Sequence, residues 1–122
     1  MHPFPPAPEL AFLIGQELTQ ICLGRWDVQL HFASGASISV QGEIGYLDGR
    51  GTQDRLDFAR APYPPVRFHD LLQLKVLSLE AQPERLTLIF EDGGRLSVAS
   101  EDEQYECGQI YRSRDRTDPI VF

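Results

Sequence analysis

The stretch LTLIFEDGGRLSV, Leu86 to Val98, decides the fold. Apolar and polar residues alternate, break at Asp92-Gly93-Gly94, and alternate again. Alternation with a period of two places one residue set on one side of an extended strand. Asp-Gly between two such runs is a strong hairpin signal, because Gly accepts a positive φ without a Cβ clash. Leu86, Leu88 and Phe90 share the inner face of the first run, and Leu96 and Val98 that of the second.

Much earlier the chain carries VQLHFASGASISV, Val28 to Val40, on the same plan. Phe32 and Phe90 are 58 positions apart, as are Gly35 and Gly93. The register holds without a gap: Leu13 meets Leu71, Leu30 meets Leu88, Ser39 meets Ser97 and Val40 meets Val98. Conservative pairs fill the intervals, among them Ile14 with Leu72, Ile21 with Leu79 and Ile38 with Leu96. Two units, about 10–46 and 68–104, therefore read as an internal duplication joined by a loop over 48–65.

Each unit opens on a Pro-rich approach and a short apolar segment, Glu9 to Gly15 and Arg67 to Gln73, which predicts one or two helical turns. A first strand follows, Leu18 to Leu23 and Val76 to Ala81. In the second strand of the first unit Trp26, Val28, Leu30 and Phe32 are expected inside, and Asp27, Gln29 and His31 outside. Each unit is then a three-stranded meander with one greasy face, and an isolated sheet of that size is marginal in water. Full burial of each Val, Leu, Ile or Phe contributes ~1.5–3 kcal/mol, so two such faces stabilise each other. The expectation is a single, mainly β domain: two repeated three-stranded antiparallel meanders packed as a small sandwich or partly open barrel, with short helical turns. In the joining segment, Gln53 to Arg60 is expected to form a turn of helix that places Leu56 and Phe58 on the core. Beyond the second unit, Tyr105 to Tyr111 is read as one more strand and PIVF as a docked apolar tail.

Composition narrows function. The chain has 122 residues and a formal charge of −7. Residues 68–106 hold nine acids and three bases, net −6, and the rest is nearly neutral. That field repels phosphate backbones, so nucleic acid is not an expected partner, and Arg112, Arg114 and Arg116, interrupted by Asp115 and Asp118, read as a solvated loop. No apolar run approaches the roughly 20 residues that span a bilayer. MHPFPPAPEL lacks the basic start and apolar stretch of a signal peptide, so the cytosol is the expected compartment. Cys22 and Cys107 read as free thiols, with no spacing that calls for a bridge.

No cofactor motif is present: there is no G-x-G-x-x-G, Walker loop or G-x-S-x-G elbow. His2, His31 and His69 lack the spacing of a zinc site, and no metal is expected. The acidic group Glu101-Asp102-Glu103 with Tyr105 and Glu106 does not match a calcium loop. It is either a solvated loop or a grip for basic side chains.

Leu86, Leu88, Phe90, Asp92, Gly93, Leu96 and Val98, then acids, then Tyr105, Glu106, Cys107 and Ile110, resemble a pattern in small uncharacterised bacterial domains: L-x-L-x-F-x-D-G-x-x-L-x-V followed by Y-E-S-x-x-I. This chain departs from it at Gly94, and at Cys107, where Ser is usual. Some such families are grouped with predicted immunity proteins that neutralise secreted toxins. The resemblance implies a non-enzymatic, immunity-like interaction protein. On that reading Glu101, Asp102, Glu103 and Glu106 supply charge toward a basic protein partner, and Tyr105 an aromatic anchor. Two alternatives stand beside it. One is a small-ligand binder or enzyme with a cleft between the units lined by Trp26, His31, Tyr46 and His69. The other is a structural domain acting as a homo-oligomer, suggested by the outward Ile89, which either the Tyr105 strand or a second subunit of a homodimer would cover.

Overall fold

The computed structural model describes residues 2–100 and 107–122. The chain is mainly β, with two five-stranded antiparallel sheets that do not close into a barrel. A 3-10 helix over Ala7–Leu13 leads into β1 (Leu18–Leu23), β2 (Val28–Phe32) and β3 (Ser37–Val40). The hairpin β4 (Glu43–Leu47) and β5 (Gln53–Asp57) follows. A second 3-10 helix, Phe68–Leu71, opens the later unit: β6 (Val76–Gln82), β7 (Arg85–Phe90), β8 (Arg95–Ala99), β9 (Gly108–Tyr111) and β10 (Ile120–Val121).

Strand order is β1-β2-β3-β9-β10 in one sheet and β5-β4-β8-β7-β6 in the other. Each meander thus keeps its own three strands and receives its last two from the other unit. The crossing is sharp, because only Gln41 and Gly42 separate β3 from β4. Phe32 and Phe90 are 2% and 0% exposed, and Leu30, Ile38, Val40, Leu88, Leu96 and Val98 are fully buried with them in one core. The inward residues predicted for β2, β3, β7 and β8 are therefore the buried ones, and Ser37, Thr87 and Ala99, in the outward phase, are buried as well.

The two units make matching backbone bonds at the 58-residue offset. Gly15 N–H donates to Val76 O and Gln73 N–H to Leu18 O, both at 2.7 Å. Leu18 N–H donates to Leu74 O, and Val76 N–H to Gln16 O. Each first strand carries its register shift at the equivalent place, Leu18/Gln20 and Val76/Ser78. Glu17 pairs with Lys75, its own counterpart, so a local pseudo-two-fold axis passes between them. Beyond Gly42 the equivalence continues through pairing: Tyr46 faces Leu96 as Ile110 faces Ile38.

Four expectations are corrected. Gln53 to Arg60 is not helical; Gln53–Asp57 is an edge strand on β4, and Leu56 and Phe58 are nonetheless buried. The joining loop is correspondingly shorter than 48–65. Trp26 is not on the inner face but 63% exposed, because Gly24 N–H donates to Asp27 O and turns the chain before β2 begins. Ile89 is half-buried on the outer face between Ser78 and Arg95, and β9 does not cover it, since β9 belongs to the opposite sheet. The C-terminal tail docks: Phe122 is fully buried and stacks on Phe4 with centroids 4.5 Å apart. Cys22 and Cys107 are both free. No helix among the described residues is long and apolar enough to cross a membrane.

Candidate functional site

At one end of the sandwich an open cleft of about 440 Å³ is lined by Tyr46, Asp48, Gly49, Arg50, Arg67, Asp70 and Asp92. Its floor is set by β4. Ile44 and Tyr46 alternate inward there, and Tyr46 is 2% exposed, packed edge-on against Phe68 with centroids 6.4 Å apart. No other described residue hydrogen-bonds the Tyr46 hydroxyl, yet no buried side-chain polar atom lacks a partner. The hydroxyl oxygen is therefore the part of the residue that reaches the cleft.

Asp48 follows β4 directly and organises the wall. Its Oδ1 accepts the N–H groups of Arg50 and Thr52, at 2.8 and 2.9 Å. This is an Asx-type turn, in which a short carboxylate satisfies nearby backbone donors. Its Oδ2 accepts from Arg67 Nη1 at 2.7 Å. Arg67 also donates Nε–H and its backbone N–H to Asp54 Oδ2, at 2.9 and 2.8 Å. One guanidinium thus ties the β4–β5 loop and β5 to the entry of the second unit. It lies 5.8 Å from the centre of the Tyr46 ring.

The opposite rim comes from the second unit. Asp70 lies on the second 3-10 helix and is exposed. Asp92 sits in the β7–β8 turn, with Oδ1 accepting Gly94 N–H at 2.8 Å. Gly94 explains its departure from the family pattern. A Cβ there would lie 3.2 Å from the Tyr46 ring and 3.0 Å from Asp92 Oδ1, so a side chain would crowd both. Gly49 meets the same turn, and a Cβ on it would lie 3.2 Å from Asp92 O.

The electrostatics follow from this convergence. Burial raises the Tyr46 phenol above its ordinary pKa, the charges of Asp92, Asp70 and Asp48 add to that, and Arg67 opposes it. The phenol therefore holds its proton, and its oxygen can still accept a hydrogen bond. The Arg67 hydrogen bond lowers the Asp48 carboxyl below its ordinary pKa, with help from Thr52 N–H, and Asp48 and Asp54 raise that of Arg67. Arg67 is thereby committed to Asp48 and Asp54. Asp70 and Asp92 are in no ion pair among the described residues.

Of the four residues expected in a cleft, Tyr46 alone lines this one. His69 is an exposed neighbour of Asp70, His31 is on the outer face of the first sheet against Gln29 Oε1 at 3.2 Å, and Trp26 is at the β1–β2 turn beneath Arg25. The interior between the two sheets is filled by core side chains. Glu101, Asp102, Glu103, Tyr105 and Glu106 lie outside the described residues. Sequence reading missed Asp48, Asp54, Arg67 and Asp70 as site residues and saw Asp92 only as a turn former. The usable signal was the extra glycine at 94.

Two smaller depressions lie on the outer sheet faces. The one on the second sheet, about 330 Å³, has Gly45, Thr87 and Ser97 in its lining, and its Arg55 is 2.6 Å from Glu43. The one on the first sheet, about 170 Å³, is lined by uncharged groups such as Gln29, Ser39 and Gln109 together with Asp27 and Arg116. No group of three or more His, Cys, Asp or Glu placed to hold a metal ion occurs among the described residues. Comparison with family models, curated proteins and solved structures finds no match to this chain.

Proposed function

We propose that the protein is a non-enzymatic binding domain that takes a cationic group of a partner protein into the cleft at Tyr46. The observation that carries this reading is the deeply buried phenol whose hydroxyl has no hydrogen-bond partner among the described residues and reaches a cleft rimmed by Asp70 and Asp92. A cation there meets the phenol oxygen and two carboxylates that are in no ion pair among the described residues. Nothing in the cleft pairs a nucleophile with a base, so binding is favoured over catalysis. The acidic composition extends the same preference beyond the cleft, where complementary charge speeds encounter and selects partners. An immunity-like role in a bacterial cytosol, masking a basic surface of a toxin, is the setting that suits this chemistry.

Isothermal titration with a blocked oligopeptide carrying Lys and Arg tests the reading. Binding that weakens about tenfold or more in the Asp70→Asn/Asp92→Asn variant supports it, the equivalent of about 1.4 kcal/mol. Binding unaffected by those substitutions refutes it. A free polyamine tests the small-ligand alternative in the same cleft. Tighter capture of the polyamine than of the peptide would favour that reading.

A further inference from the structure

The pseudo-two-fold axis gives the molecule a second end with the same backbone frame, and that end is occupied. Arg112 follows β9 as Asp48 follows β4, and Phe12 stands where Asp70 stands in the other unit. There the Arg112 guanidinium lies 5.5 Å from the centre of the Phe12 ring. The stem of Arg114 covers Gly35, the counterpart of Gly93, so closely that a Cβ at 35 would lie 2.5 Å from its Cγ. At this end the frame is therefore filled by two arginines of the chain itself. At the Tyr46 end Asp48 stands in place of Arg112 and Asp70 in place of Phe12, while Arg50 stands where Arg114 does and lines the cleft.

We propose that the Tyr46 cleft is a receptor for the guanidinium of an arginine side chain presented by a partner protein. This rests on the cation-binding reading above and narrows it. Three observations converge. The frame accommodates guanidinium groups in its other copy. Tyr46, buried and without a hydrogen-bond partner for its hydroxyl among the described residues, offers that oxygen to the cleft. Asp70 and Asp92 approach from two separate elements and carry no ion pair among the described residues, an arrangement that a planar fork of donors satisfies better than a compact ammonium. A side chain presented on a peptide, rather than free arginine, suits a cleft where three carboxylates outnumber the guanidiniums of Arg50 and Arg67, because that balance disfavours a free α-carboxylate.

The test uses the full chain and three blocked pentapeptides that differ only at the centre: arginine, lysine or citrulline, the uncharged isostere. The arginine peptide is expected to bind at least about fivefold more tightly than the lysine peptide, with no measurable citrulline binding. Asp70→Asn/Asp92→Asn should abolish that preference while leaving the far-ultraviolet dichroism unchanged. Arg112→Gln, at the other end, should leave the preference intact. Equal binding of the lysine and arginine peptides overturns the arginine assignment and leaves the cation site standing. Silence from both peptides overturns the two together. Free arginine binding more tightly than the blocked peptide overturns presentation by a protein.

Discussion

Phe90→Ala, Phe32→Ala and Trp26→Ala form a series that separates the observed packing from a simple reading of alternation. Alternation puts Trp26, Phe32 and their neighbours on one inner face. In the structure Phe32 and Phe90 occupy equivalent buried positions, and Trp26 is 63% exposed at a turn. Removing a fully buried Phe ring deletes its transfer free energy and leaves a cavity that the neighbours only partly refill. The expected loss is about 3–5 kcal/mol for each Phe variant. Domains of this kind are stable by roughly 5–15 kcal/mol, so either change removes a large share of the total. Trp26→Ala removes only an exposed contact with the Arg25 guanidinium and should cost less than about 1 kcal/mol. Urea unfolding followed by far-ultraviolet dichroism measures all three. Dichroism is the right signal because Trp26 is the only tryptophan, and its emission in the native state should already be close to that of the unfolded chain. A Trp26→Ala cost matching that of Phe32→Ala would refute the placement, as would a Phe90→Ala cost below about 1.5 kcal/mol.

Further outcomes follow from the same structure. Tyr46→Phe keeps the buried ring and deletes a hydroxyl that no described residue hydrogen-bonds, so stability should change by less than about 0.5 kcal/mol, while cation binding falls; thermal melts and peptide titration read the two separately. The pKa of Asp48 is depressed in the folded state. Its stabilising effect is therefore full above the unfolded pKa near 4 and lost as pH falls through the lower folded value. Asp48→Asn should lower stability at neutral pH and flatten the acid limb of the curve below about pH 4, checked by melts at graded pH. Gly93→Ala should cost about 1–2 kcal/mol from its φ of +87° alone, since a Cβ there meets nothing within 4 Å. In the native protein Cys22, half-buried on an edge strand, should react with a thiol reagent well before the buried Cys107; equal rates would contradict their placement.

The meanders were legible because one local rule governs them. In β2, β3, β7 and β8 each inward residue is apolar, and a positive-φ glycine marks each turn, Gly35 at +96° and Gly93 at +87°. The strands that cross to the other sheet were not legible. In β5 only Leu56 of QDRLD is apolar, because an edge strand faces water on one side and need satisfy only its partner. A turn of helix fits that composition equally well, and pairing with β4 decides against it. Trp26 was misplaced because the period of two was carried one residue too far into the turn. The site was less legible still. Tyr46 was singled out, but Asp48, Asp54, Arg67, Asp70 and Asp92 are distant in sequence and meet only when β4 crosses to the second sheet. Gln73 shows the limit from another side: it takes φ +71° where the first unit uses Gly15, a left-handed position that its residue type does not announce.

The most direct measurement is a nitrogen-15 correlation spectrum of the full chain titrated with the blocked arginine peptide. Gly49 lines the cleft, and Gly93 and Gly94 follow Asp92 in the turn that forms its rim, while Gly24 and Gly108 lie away from it and serve as internal references. Saturable shifts in the first three amides, with the last two unmoved and the whole response lost in Asp70→Asn/Asp92→Asn, are the expected result. Shifts confined to other surfaces, or none at saturating peptide, would contradict a cation seat at Tyr46.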